Sequence, residues 1–253
     1  MLRLTGAADR GDLAAFLGRV AALDPGAVVR LRGGGGRVTA WARLPFGVLV
    51  SRTVGGSAEP ADVTVGAREL LAAVEGAGRP SEPGVPARRD AEWRAALPPA
   101  GGWVRLDEVP GEVVRSLVRA GAEALRSAPA GAASSTGESL LDHESLIVSG
   151  AGRVAVVPLR VLTALARMGF LAAPRLPAPP ASAGSRASAE PVASPESPAL
   201  AGSLGSAGSA GSGGSGADGD AVLVAAGGGW VRLAAPYGSA YLHTGPSLGL
   251  ARR

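Results

Sequence analysis

The six residues Gly101-Gly102-Trp103-Val104-Arg105-Leu106 return unchanged as Gly228-Gly229-Trp230-Val231-Arg232-Leu233, and their last four return loosely as Trp41-Ala42-Arg43-Leu44. Glycines followed by alternating residues read as a turn opening into a β-strand, with Trp and Arg on one face and Val and Leu on the other. A chain that uses this frame three times is committed to hairpins. Its 253 residues allow one large or two small domains with a real core.

Helical periodicity lies between the strands. Asp9 can cap a helix to Leu23, with Leu13, Phe16, Leu17 and Val20 on one side. Strands are expected at Val28–Leu31, Val38–Leu44 and Phe46–Val54, with Gly33 to Gly36 as a turn, and a helix from a Thr64 cap to Glu75. Sliding-clamp subunits use strand-to-helix units of this kind, but no motif in the chain is specific enough to claim that resemblance. A second helix group follows: Pro110–Arg126, a short helix opened by Ser135-x-x-Glu138, and Pro158–Phe170. The last has an unusually wide apolar arc, which calls for packing on several sides. Leu146–Val148 and Val154–Val157 pair across Gly150-Ala151-Gly152, and Ala221–Ala225 pairs with Trp230–Leu233.

These elements predict an α+β protein of two small domains. Residues 1–75 form the first, 76–92 a linker, and 93–171 plus 220–248 the second. The Ala/Gly/Ser/Pro-rich tract 172–219 is expected to be a disordered insertion, because it cannot bury enough apolar surface to offset its ordering entropy.

Composition excludes several chemistries. All 25 basic side chains are Arg, and Lys, Asn, Gln and Cys are absent, while the formal net charge is only +4. Such a surplus supports nucleic-acid binding only if it gathers on one face. Without cysteine there is no disulfide, thiolate ligand or thiol nucleophile. No stretch reaches the ~20 apolar residues of a membrane span, so a cytoplasmic protein without membrane contact is expected. The composition and the run Leu140–Leu171 resemble proteins of unknown function common in high-GC actinobacteria, a resemblance that implies no activity.

Motifs of catalysis or cofactor binding fail on context. Gly150-Ala151-Gly152-Arg153-Val154-Ala155 matches a dinucleotide fingerprint by letters, but Pro158 would fall inside the required helix. Gly245-Pro246-Ser247-Leu248-Gly249 lacks room for the helix that follows a nucleophile elbow. Asp142-His143-Glu144 could share a metal only in part, since neighbouring helical residues diverge. No catalytic residue, metal or cofactor is therefore assigned.

The candidate binding surface is Trp103, Arg105, Trp230 and Arg232 on the strands, with Arg160, Thr163 and Arg167 as the polar ridge of the last helix. An outward Trp beside Arg suits an interface anchor or base stacking. A chain so poor in aromatics, however, is expected to place its tryptophans in the core. The functional expectation is a non-enzymatic binding protein with a protein partner. A winged-helix nucleic-acid binder, with Pro158–Phe170 as recognition helix and Gly227–Gly229 as wing, is second. An enzyme using His143 or His243 is third.

Overall fold

The computed structural model describes residues 1–76, 86–127, 133–172 and 220–244. In chain order the elements are β1 (Leu2–Leu4), α1 (Ala7–Leu23), β2 (Val28–Gly34), β3 (Arg37–Arg43), β4 (Leu49–Ala58), β5 (Asp62–Gly66) and α2 (Ala67–Gly76). There follow β6 (Val104–Pro110), α3 (Gly111–Arg126), α4 (Ala133–Asp142), β7 (Glu144–Gly150), β8 (Arg153–Pro158), α5 (Leu159–Arg167), β9 (Ala221–Gly227), β10 (Trp230–Ala235) and β11 (Gly238–His243). The fold is α+β, and every strand pair is antiparallel.

Eight strands lie side by side in the order β5-β2-β3-β4-β11-β10-β9-β6, with β1 added to the far end of β4. Two meanders, β2-β3-β4 and β9-β10-β11, therefore meet through their third strands. Their first turns are built alike. Gly35 and Gly36 (φ 58° and 71°) join β2 to β3, and Gly228 and Gly229 (φ 56° and 76°) join β9 to β10. Two successive positive φ values define the tight hairpin whose twist matches its strands, and glycine takes them without steric cost.

Alternation sorts the side chains between the two faces of the sheet. Val29, Leu31, Val38, Ala40, Ala42, Val50, Val222, Val224, Val231, Leu233 and Ala240 are buried beneath a helix layer. Phe16 of α1 stacks on Phe170 beyond α5 with ring centroids 6.3 Å apart. Gly121 lets α3 approach α5, since a Cβ there would lie 2.5 Å from Leu159 Cδ2. The wide apolar arc of α5 is buried through Val161, Leu162, Ala164 and Leu165, as its width requires.

Three local expectations change. Asp9 does not cap α1; its carboxylate accepts the Gly55 N–H at 2.7 Å and so ties the helix to β4. Thr64 lies within β5, where the Asp90 carboxylate accepts its N–H at 2.7 Å, so α2 starts later. Gly238–His243, which carries too few apolar residues to signal a strand, forms β11. The tract 173–219 and the Gly245–Gly249 motif lie outside the described residues.

Strands β5 and β6 occupy opposite edges, so the chain joining them has to cross the sheet. Helices fill one face, and residues 89–103 cross the other. They leave the β5 edge where Arg89 N–H donates to Thr64 O (2.8 Å), pass Trp93 beneath the Arg30 guanidinium (6.0 Å), and reach β6 through Pro98 and Pro99. The distance suits this path: the sheet is about 34 Å wide at about 4.8 Å per strand, and these residues extended reach about 50 Å.

Arg115 of α3 donates to Ala172 O (3.1 Å) and to the Asp220 carboxylate (3.1 Å), holding both ends of the 173–219 tract together. Replacing that tract by a short Gly/Ser linker should leave the melting temperature almost unchanged, because closure entropy varies by only about 0.6 kcal/mol per doubling of loop length. A collapse of the thermal transition in the shortened chain would show that the tract supports the core.

Candidate functional site

The crossing segment makes the face opposite the helices a strapped surface with a cleft of about 410 Å³. Arg32 and Gly33 of β2, Arg37, Thr39 and Trp41 of β3, Thr53 of β4, Arg232 of β10 and Tyr241 of β11 form its floor and rim. Pro98, Pro99, Ala100 and Trp103 form the strap side. Register explains the convergence. Trp41 sits opposite Ser51 and Ser51 opposite Ser239, and in the next row of the same face Tyr241 sits opposite Arg232, so two adjacent pleat rows gather residues from distant parts of the chain.

Three aromatic rings meet at its centre. Tyr241 lies 5.2 Å from Trp41 and 6.0 Å from Trp103, tilted to both, an arrangement aromatic quadrupoles favour. The Trp103 indole N–H donates to Pro99 O at 3.1 Å, fixing the strap over the rings. Arg232 places its guanidinium 5.1 Å above the Trp103 ring. Its Nε is buried and has no hydrogen-bond partner among the described residues.

No carboxylate lines the cleft among the described residues. Asp62 stands beyond one end, accepting two 2.7 Å hydrogen bonds from Arg30 and lying 3.6 Å from Arg32. The Arg30 hydrogen bonds, with the charges of Arg30 and Arg32, hold the Asp62 carboxyl below its ordinary value despite an opposing desolvation cost. Arg32 is thus partly neutralised, whereas Arg37 and Arg232 have no acidic partner among the described residues. The helix layer is different: its five helices carry as many carboxylates as arginines.

The residues singled out by sequence do not form one surface. Trp103 and Arg232 enter the cleft. Arg105 is exposed and pairs with Glu108 at 2.7 Å, outside it. Trp230 lies farther along the open face, edge-on to His243 at 5.0 Å. Arg160, Thr163 and Arg167 are on α5, in the layer beneath the other face. Arg160 donates to Phe46 O (3.1 Å) and pairs with Asp142, which joins α5 to the β3–β4 turn. Trp41, Arg37, Tyr241 and the strap prolines were missed. Trp41 shares the Trp-x-Arg-Leu frame and was detectable; Tyr241 and Arg37 carry no local signal. The tryptophans are half-buried on the open face and not in the core, because Val and Leu of the same strands already fill the helix side.

The winged-helix alternative is overturned by the packing of α5. Five of its nine residues, Leu159, Val161, Leu162, Ala164 and Leu165, are buried, and Arg160 is engaged within the fold, so no recognition face is offered. Its supposed wing is the β9–β10 turn of the main sheet. His143 is exposed beside Asp142, which is paired with Arg160, and His243 packs on Trp230. Among the described residues no group of three His, Asp or Glu side chains is placed to hold a metal.

Residues 98–247 match the family described as Domain of unknown function (DUF8185), and the chain belongs to that family. Residues 1–95 match Domain of unknown function (DUF8010). A search of curated proteins found no match. Among solved structures the chain is similar to the DNA polymerase sliding clamp from Caulobacter crescentus, at 12% identity and a TM-score of 0.48, over 96% of this chain and 67% of that one. It is also similar to the DNA polymerase III subunit beta from Pseudomonas aeruginosa, at 13% identity and a TM-score of 0.46, over 92% of this chain and 62% of that one. The chain spans roughly two thirds of these clamps' length. The functional expectation of a general binding protein, with a winged helix or an enzyme behind it, is corrected accordingly: the solved structures named above are sliding clamps.

Two measurements test this surface. Trp103→Ala should cost about 1–3 kcal/mol in denaturant unfolding, less than the roughly 3–5 kcal/mol of a core tryptophan, whereas Leu233→Ala should cost about 2–5 kcal/mol. A Trp103→Ala loss above that of Leu233→Ala would make the rings part of the core. Because Asp62 is depressed in the folded state, its pairing stabilises above the unfolded value of about 3.9 and is lost as pH falls through the lower folded value. Asp62→Asn should therefore lose part of the neutral-pH stability and show a flatter acid limb in thermal melts.

Proposed function

We propose that this chain is a clamp-like docking subunit, which holds a segment of a protein partner in the strapped cleft on the open face of its sheet. The observation that supports the reading is the cleft itself. Aromatic rings, Arg232 with an unbonded buried Nε, and Arg37 converge there, and no carboxylate answers them among the described residues. Arg232 is held over the Trp103 ring in a cleft without an acidic side chain among the described residues, so its positive charge is left for an arriving acceptor. Aromatic and arginine side chains are also the types that dominate the anchoring centres of protein interfaces.

Direct binding of duplex DNA is not part of this proposal. Phosphate contacts need basic charge gathered on an accessible surface, and the helix layer is balanced in charge. A cytoplasmic location and a high-GC, actinobacterial source belong to the same proposal; they rest on the arginine-only basic set and the absence of cysteine. No helix among the described residues is long and apolar enough to cross a membrane.

A photo-cross-linking residue placed at Ala100, on the cleft rim, and separately at Arg119, on the exposed side of α3, tests the face. In source cells the Ala100 position should yield a discrete protein adduct that disappears when Arg232 and Arg37 are both changed to Ala. Adducts only from the Arg119 position, or adducts only to nucleic acid, would overturn the reading.

A further inference from the structure

We infer that the cleft takes an extended acidic peptide segment, anchored by one carboxylate at Arg232 and a second toward Arg37. The inference rests on the docking reading above and adds the chemistry of the ligand. Arg232 is held by its stack on Trp103, and Tyr241 lies against the same indole. The guanidinium is thereby oriented before any ligand arrives, which reduces the ordering cost of a two-point contact with a planar carboxylate. Asp62 satisfies Arg30 and faces Arg32, so the unanswered positive charge lies at Arg37 and Arg232.

Shape selects an extended chain. The cleft is bounded on one side by Pro98 and Pro99 and on the other by the end of β2, where Gly33 and Gly34 contribute no side chain. A slot of this kind, lined by aromatic rings and proline, suits a peptide without helical bulk. Nucleic acid fits less well. Base stacking needs a free aromatic face, but Trp103 is covered by Arg232 and Tyr241, and Tyr241 is only 8% exposed.

The probes are a synthetic extended peptide carrying glutamates beside prolines, the same peptide with glutamines, and a single-stranded oligonucleotide of equal charge. Binding to the full chain is read by fluorescence anisotropy at low and moderate salt. The glutamate peptide should bind at least about tenfold tighter than the glutamine peptide, as expected for charge-assisted hydrogen bonds, and this preference should weaken with salt. Arg232→Gln should abolish the preference and Arg37→Gln should reduce it. Arg105→Gln, outside the cleft, should leave it intact. Unaltered thermal unfolding of the variants separates lost recognition from lost structure, and Arg37, at the exposed rim, serves if Arg232→Gln fails to fold. Equal binding of the two peptides, no binding of either, or tighter binding of the oligonucleotide would overturn the inference. If that happens while the Ala100 cross-link persists, the docking face stands and only its acidic ligand falls; loss of both removes the docking reading itself.

Discussion

The short antiparallel pairing of β4 with β11 holds the rest of the structure in place. Leu49, Val50 and Ser51 face Tyr241, Ala240 and Ser239, and these three positions join two meanders that lie far apart in the chain. On the helix side the pair sets Val50 beside Ala240, so one apolar layer passes from one meander to the other without a polar seam. On the open side it brings Tyr241 next to Trp41 and puts the Tyr241 hydroxyl 3.5 Å from Ser51 Oγ. The core and the cleft are thus two faces of the same register. A slip of one residue would exchange them, sending Tyr241 under the helices and Ala240 into the cleft.

The two faces divide the chemistry sharply. Beneath the helices the strands carry Val, Leu and Ala, and the helix charges balance one another at the surface. The open face keeps the arginines and aromatics, and the connection from β5 to β6 crosses it because the other side is filled. That connection is firmly placed, with hydrogen bonds at the β5 edge, Trp93 under Arg30, and Trp103 bonded to Pro99. Its proline pair lacks backbone N–H donors, so it can lie along a sheet face without leaving donors unsatisfied.

Membership of a family defined by its sequence describes the scaffold, while the cleft is particular to these residues. The failure of the winged-helix reading shows why the distinction matters. A ridge of Arg160, Thr163 and Arg167 looks like a recognition surface when the helix is drawn alone. In the fold Arg160 is engaged by Phe46 O and Asp142. The width of the apolar arc was the better guide, because a helix buried on several sides has no free groove-facing edge.

Much of the local structure was legible in the chain. Alternating residues after paired glycines marked β3, β6 and β10, and periodic apolar positions marked α1, α3 and α5, since each signal depends only on neighbours in sequence. The wide arc of α5 even announced its burial. Other features had no local trace. β11 is too mixed in composition to declare itself, and Thr64 looked like a cap because its strand partner is β2, more than thirty residues away in sequence. The candidate site was half legible: Trp103 and Arg232 followed from the repeated frame, whereas Arg37, Tyr241 and the strap became neighbours only through register. Sequence alone determined which residues alternate and where the chain turns, because those follow from backbone geometry. Tertiary structure decided which strand lies beside which, because pairing between remote segments depends on burying both meanders under one helix layer, and that choice placed the tryptophans at the cleft.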